Sequence, residues 1–266
     1  MSATFNQLNS IASELSRNSG TVFGAIVDAN GKELTGYESF GFVDTTELTA
    51  SADTIEAKNS AEGPNVTVGS ATINTTVNLS MAIRDLNPAN IAKLFFGDKT
   101  DVAAEETVTE TKKAYLGMQI DLDGILPEDT TNLVVEQSGG TGTAYTEGTD
   151  YVVERTGGIT ILESGSIVDE EEIDITYDTV ATTKIEGFTK SDLYMKLIVR
   201  GLNNATSKYF KTVMHLVQLS PTEGFSFIDP ENYTVANISG TLIASKEVTG
   251  SGLSKLISHT VEQESA

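Results

Sequence analysis

Residues with the chemistry for acid–base catalysis are few in this 266-residue sequence. The two histidines, His215 and His259, stand at no recognisable spacing from a serine or a carboxylate, and the motifs GxSxG and HExxH do not occur. His215 lies between Val213 and Val217 in a segment with strand-like alternation, which favours a structural role over that of a general base. The sequence therefore predicts no catalytic residue and a protein that is not an enzyme.

Carboxylates are abundant, but their spacing indicates solvated loops rather than a reaction centre. Runs of like charge such as Glu105-Glu106 and residues 169–172 are typical of exposed loops. Asp121-Leu-Asp123-Gly124 resembles the start of a calcium loop, yet a third ligand before the glycine and a glutamate at the twelfth position are missing. We predict no metal and no cofactor. The alternatives are a surface calcium site using Asp121, Asp123 and Asp129, and a glycosidase-type carboxylate pair.

The net charge of the chain is strongly negative. It contains 17 basic and 38 acidic residues, a formal charge of −21, and residues 98–183 alone carry 20 acidic and 4 basic side chains. A surface of this sign repels the phosphate backbone, so sequence-specific or sliding DNA binding is excluded as a function class. It suits a protein that DNA must pass without being held.

The elements that would position a functional surface are long strands. Residues 71–84 alternate with a period of two, which predicts a strand far longer than the usual five to six residues, about 45 Å at roughly 3.3 Å per residue. One face carries Ile73, Thr75, Val77, Leu79, Met81 and Ile83, and the other carries Asn74, Thr76, Asn78, Ser80 and Ala82. A short helix should follow, capped by Asp85 or Asn87, with Pro88 in its first turn and Gly97 after its end.

Two further long strands are predicted near the end of the chain, at 193–200 and 208–219. Both faces of the second are largely apolar. One face can pack on the core of the same chain, and the other requires a second protein layer. We predict that a neighbouring subunit covers the side chains of Val213, His215, Val217 and Leu219.

The pattern divides the chain into a mainly β core with an inserted β domain. Residues 1–20 form an N-terminal arm, 21–97 and 184–247 form a discontinuous core domain, and 98–183 form an acidic insert of short strands. Residues 248–266 form a C-terminal tail with a short helix at Leu253–Ile257 as one option. The chain has no cysteine, and neither a signal peptide nor a long apolar segment is apparent, so we expect assembly in a cytoplasm and no membrane association.

This layout resembles the tail tube (major tail) proteins of long-tailed bacteriophages. The resemblance rests on the strand-then-helix unit SATINTTVNLSMAIRDLNPANIAKLFFGD (70–98), on SPTEGFSFI (220–228) before a strand, and on residues 147–178, which are similar to insert domains of such proteins. It spans most of residues 40–245 but includes no invariant signature. It implies a β-sandwich or barrel with long hairpins and one short flanking helix.

The resemblance also implies a function. Six copies would form a ring whose hairpins join in an inner barrel, and stacked rings would form the virion tail tube that conducts the genome. The partners would be further copies and other tail proteins: tape measure, tail terminator and distal tail. We expect the polar face of the long strand to line the lumen, with nearby acids supplying its negative charge; these candidates are Asn74, Thr76, Asn78, Ser80, Glu47, Asp53 and Glu56. A surface, head-decoration or baseplate binding module is the alternative.

Overall fold

The fold is mainly β. The computed structural model describes residues 16–59, 66–139, 142, 144–221 and 224–263, and these contain sixteen strands and one helix. The predicted N-terminal arm up to residue 15 and the loop at 61–65 lie outside the described residues. The chain divides into two compact units, Met1–Asp98 with Ile185–Ala266 (unit 1) and Lys99–Lys184 (unit 2). The bounds of unit 2 differ from those of the predicted insert, 98–183, by one residue at each end.

Unit 1 is built on one antiparallel sheet of eight strands. Its order is β2-β1-β13-β14-β15-β4-β3, and β16 also pairs with β14. The strands are β1 (Asn18–Ile26), β2 (Glu38–Ser39), β3 (Val43–Asn59), β4 (Val66–Ile83), β13 (Tyr194–Asn203), β14 (Lys208–Ser220), β15 (Ala236–Leu242) and β16 (Ile257–Val261).

One face of this sheet encloses a single apolar core. Val22 of β1 and Met81 of β4 stand far apart in the strand order, yet both lie in one buried cluster with Leu197 of β13 and Leu219 of β14. The sheet must therefore bend around its own inner face, as expected for a long, strongly twisted sheet.

The helix α1 (Pro88–Leu94) follows β4 and packs on the edge of this core. The side chain of Asn87 caps it by accepting the backbone N–H of Asn90 at 2.9 Å, and Pro88 occupies its first turn, as predicted. The fully buried Asn90 amide donates to the carbonyl oxygens of Phe40 and Asp85, which ties the helix to the chain before β3 and after β4.

Unit 2 has its own core between two three-stranded sheets. One sheet has the order β7-β10-β9 and the other β6-β11-β8; Ile159 of the first and Ile173 and Ile175 of the second are fully buried. The strands are β6 (Val108–Lys113), β7 (Gln119–Asp121), β8 (Val134–Gln137), β9 (Tyr151–Val153), β10 (Gly158–Ile161) and β11 (Glu172–Tyr177). A two-stranded sheet is formed by β5 (Asp98–Val102) and β12 (Thr182–Glu186).

The prediction of a separate C-terminal tail with a helix at Leu253–Ile257 was wrong. Residues 257–261 form β16, which pairs with Phe210–Met214 of β14. This segment is a strand because its β-branched residues Ile257, Thr260 and Val261 complete an otherwise open edge of β14.

Candidate functional site

The candidate site is the ribbon formed by β3 and β4, two paired strands of 17 and 18 residues. Their register runs from Val43↔Ile83 to Asn59↔Val66, with irregularities that include one at Asp53/Thr54. At its base the ribbon belongs to the core of unit 1, because Leu79 and Met81 are buried. From Glu47 to Lys58 and from Thr67 to Thr75, every described side chain is exposed. The outer part of the ribbon therefore has no layer on either face within the described chain.

The ribbon edges are also open over most of their length. β15 pairs only with Asn78–Ile83 of β4, and β3 is the last strand in the sheet order. Among the described residues, no strand pairs with the outer edge of β3 or with the free edge of β4 at 66–77. Two apolar side chains in this outer part, Ile55 and Ile73, are 60% and 63% exposed.

Most of the predicted lining residues lie on one face of the ribbon. Directly paired residues share a face, and the pairs on this face alternate with those on the opposite face, which includes Leu48↔Leu79, a pair of which Leu79 is buried. The pairs are Glu47↔Ser80, Thr49↔Asn78, Ser51↔Thr76 and Asp53↔Asn74. The structure therefore brings together all four predicted polar residues of β4 and two of the three predicted acids.

This surface continues onto β15 and β14. Ser80 pairs with Ser239, which pairs with Ser220, and Asn78 pairs with Thr241, which pairs with Gln218. The Thr241 hydroxyl donates to the Asn78 side-chain oxygen at 3.0 Å. We call these twelve residues the polar face: Glu47, Thr49, Ser51, Asp53, Asn74, Thr76, Asn78, Ser80, Gln218, Ser220, Ser239 and Thr241. Its members include two carboxylates and no lysine or arginine.

Sequence reasoning missed six members of the polar face. Thr49 and Ser51 could have been found from the alternation of β3, because they share the parity of Glu47 and Asp53. The four residues of β14 and β15 carried no such signal, because their place depends on the register between strands distant in the sequence.

Glu56 is the exception among the predicted acids. It stands three residues beyond Asp53 on β3. The irregularity at Asp53/Thr54 leaves the extra residue, Ile73, on β4 and none on β3, so the alternation of β3 continues and Glu56 points to the opposite face. There its carboxylate accepts the Thr67 hydroxyl at 3.2 Å and lies 3.7 Å from the Lys58 ammonium. If the polar face lines a channel, Glu56 does not belong to the lining.

The predicted inter-subunit strand is wrong for Val217 and Leu219. Both lie in the core of unit 1, with exposed fractions of 0% and 4%. The cause is a β-bulge in β14: Met195 pairs with Val217 and Leu197 with Met214, so β14 has one residue more than β13 between these pairs. A bulge reverses the alternation, and Met214, Val217 and Leu219 consequently share the core face.

Val213 and His215, the other predicted contact residues, are half-buried. The backbone N–H of His215 donates to the Leu256 carbonyl at 3.0 Å, and Val213 pairs with Ser258 of β16. Burial, with a further contribution from the positive charge of Lys196, lowers the pKa of the His215 imidazole. β13 occupies one edge of β14, and β15 and β16 together occupy the other, so β14 is a central strand of its own sheet.

The carboxylates of the calcium alternative make other contacts. Asp129 accepts the backbone N–H of Thr131 at 3.0 Å, and the Asp123 carboxylate lies 4.0 Å from the Lys112 ammonium. In the described ranges, no three or more His, Cys, Asp or Glu side chains are grouped so as to hold a metal ion. The described part of the chain contains no helix that is long and apolar enough to span a membrane.

Comparison with known proteins gives a family but no function. No curated protein matches the chain. Residues 16–259 match a family model described as "Protein of unknown function UCP028589". Since this match covers most of the sequence, the chain belongs to that family.

Proposed function

We propose that this protein is a structural subunit that assembles into rings and stacks into a tail tube of the bacteriophage type, a conduit for DNA. The single observation that carries the proposal is the β3–β4 ribbon, which the described residues leave exposed on both faces and unpaired at both edges over most of its length. The family resemblance in the sequence supports the same assignment. The ring would hold six copies by that resemblance.

An isolated two-stranded ribbon is only marginally stable in water, because it buries little apolar surface against its conformational entropy. A long open edge also pairs readily with other strands, which makes it an aggregation hazard. Closure of identical copies around an axis solves both problems: the free edge of β4 on one copy pairs with the outer edge of β3 on the next. The ribbons then form a barrel that no single copy can form.

The polar face is suited to the inside of such a barrel. Its Asn, Gln, Ser and Thr side chains hydrate well and carry no charge, while Glu47 and Asp53 repel phosphate. A lysine or arginine there would bind phosphates and retain the DNA, because each such contact adds an electrostatic term to the affinity. A lining of this composition lets DNA pass without sequence-specific contacts. Other tail proteins would contact the two ends of the tube.

Removal of the outer ribbon tests the proposal. In the variant, Asn-Gly replaces residues 52–75 and joins Ser51 to Thr76, a dipeptide that favours tight hairpin turns. We expect the full chain to sediment as rings or larger particles and the variant as a folded monomer. Far-UV circular dichroism should show that the variant keeps its β structure. If the variant assembles as the full chain does, the proposal is wrong.

The same measurement separates the alternative of a surface or decoration module. Unit 2 has its own core and two sheets, as a module of this kind would. A module predicts that the full chain is a monomer at all accessible concentrations, with or without residues 52–75.

A further inference from the structure

The core of unit 1 opens to the surface at a groove of about 760 Å³. Val22 of β1 and Met214 of β14 line this groove and are members of the buried core cluster, so the groove continues the core outward. The rest of its apolar lining is only half-buried or exposed: Phe42, Val43, Leu48, Val199 and Phe210. The described residues therefore leave this end of the core incompletely covered.

The strand register places the groove on the inner face of the sheet. Val22 pairs with Val199, Val199 with Thr212, and Thr212 with His259, which gives one row across β1, β13, β14 and β16. Directly paired residues share a face, so the whole row lies on the same face as the core residue Val22. At the start of β3, Leu48 pairs with the buried Leu79 and also lines the groove.

Polar groups in the groove already have partners within the described chain. The Thr212 hydroxyl lies 2.8 Å from Nδ1 of His259, and the Asp44 carboxylate accepts Nε of Arg84 at 2.7 Å. No lysine or arginine of the described ranges lines the groove. Because a buried charge without a partner is costly, the surface suits an occupant that is mainly apolar and nearly uncharged.

Residues 4–15, which lie outside the described residues, have this character. Their apolar residues recur every three or four positions after Thr4, a spacing that predicts a short amphipathic helix; they are Phe5, Leu8, Ile11, Ala12 and Leu15. Glu14 is the one charged side chain of this segment, whereas 21% of all residues in the chain are charged. A helix of this length is marginal alone, so it needs an apolar surface on which to pack.

This segment joins the described chain at the rim of the groove. Asn18 lines the groove, and its side-chain amide contacts the hydroxyl of Ser16, the first described residue, at 3.5 Å. The backbone N–H of Arg17 donates to the Asn203 side-chain oxygen at 3.1 Å, which attaches this end of the chain to β13. Twelve helical residues span about 18 Å, and the groove-lining stretch 18–22 spans roughly 13 Å. The segment is therefore long enough to cover the groove.

We propose that residues 4–15 form a helix that docks its apolar face into the groove of the same copy and completes the core of unit 1. Docking within one copy is favoured because the direct connection through Ser16 gives the segment a high effective concentration at the groove. The inference does not depend on the proposed function, because it concerns a single copy and requires neither a ring nor a tube.

Cysteine crosslinking within one chain tests the contact, because the natural chain has no cysteine. The test variant carries Ala12→Cys, on the apolar face of the predicted helix, and Thr46→Cys, at a half-buried position in the groove. With a short bis-maleimide we expect a several-fold higher intrachain yield than for Ala12→Cys with Ile55→Cys. Ile55 is the matched control because it is exposed but lies on the ribbon.

Mixing copies with and without a heavy-isotope label shows by mass spectrometry whether a crosslink joins one copy or two. Equal yields at the two positions, or crosslinks mainly between copies, would overturn the inference. Tubes could form or fail to form in either case, so this result is independent of the test of the proposed function.

A charge on the apolar face of the segment provides a second test. Leu8→Asp should release the helix and increase the rate at which a bulky maleimide alkylates Thr46→Cys by roughly tenfold, because the aspartate would have to be buried without a partner. Ser10→Asp adds the same charge on the opposite side of the predicted helix and should leave the rate unchanged. Equal alkylation rates in the two variants would contradict docking. Neither position belongs to the described core, so both variants should fold.

Discussion

Whether a ribbon side chain lies on one face or the other depends on its odd or even position in the strand and on any bulge that precedes it in that strand. Asp53 and Glu56 are three residues apart on β3, and that odd spacing sends their carboxylates to opposite faces. Replacing either residue with lysine changes the charge by the same amount, so the two substitutions differ only in the face of the ribbon that receives the lysine. Comparing them therefore tests which face contacts DNA.

Asp53→Lys should make assembled particles retain DNA, and Glu56→Lys should not. The lysine at position 53 would place one cation per copy on the polar face, and a ring repeats it, which produces a strongly salt-dependent attraction for phosphate. Co-sedimentation of short duplex DNA with the particles at low and high salt measures the effect. Equal DNA retention by the two variants would show that the polar face does not line the channel.

A buried carboxylate in unit 2 predicts a response to acid. Asp150 accepts the backbone N–H groups of Thr146 at 2.8 Å and Ser166 at 2.6 Å, and these bonds lower the pKa of its carboxyl below the ordinary value of 3.8. Its stabilisation is complete above the unfolded-state pKa and is lost as the pH falls through the lower folded-state value.

Asp150→Asn should destabilise unit 2 at neutral pH and reduce the loss of stability that the natural chain shows as the pH falls below about 4. The asparagine side chain keeps one oxygen, which can accept one of the two N–H groups, but its amide nitrogen cannot accept the other. Hydrogen exchange of peptides from residues 146–177, followed by mass spectrometry at matched pH, reports the change. Unchanged protection of these peptides in the variant would show that the two hydrogen bonds do not hold this segment.

At the scale of the strand, the bulge in β14 decides which of its side chains stabilise the fold. Leu219→Ala should lower the free energy of unfolding by about 2–5 kcal/mol, because it leaves a cavity in the core of unit 1. Val213→Ala, at a half-buried position, should cost clearly less. Urea unfolding of both variants measures the difference. A larger loss for Val213→Ala would mean that the two faces of β14 are assigned the wrong way round.

Elements with an uninterrupted local pattern could be predicted from the sequence. The alternation over residues 71–84 predicted β4, although its apolar face is buried only from Leu79 onward and Ile73 is exposed, and Asn87 with Pro88 predicted the start of α1. The core role of Val217 and Leu219 could not be predicted, because a bulge reverses the alternation without changing residue types. The pairing of β16 and the contributions of β14 and β15 to the polar face depend on long-range register, which a single sequence does not encode locally.

At the scale of the whole molecule, some parts of the described chain bury their apolar side chains within one copy, whereas others leave strand edges unpaired and apolar side chains exposed. Unit 2 and the core of unit 1 bury their apolar side chains within one copy. Among the described residues, the outer ribbon has unpaired edges and exposes the apolar side chains of Ile55 and Ile73. In our account, the ribbon is completed by other copies of the same chain, whose ribbons pair side by side.

Electron microscopy of the purified full-length chain at high protein concentration tests this account most directly. Our account predicts rings and hollow tubes, with the ribbons of neighbouring copies forming a continuous barrel around the channel and the polar face turned inward. Particles that remain single compact copies under all conditions, or tubes whose channel is formed by other parts of the chain, would contradict it.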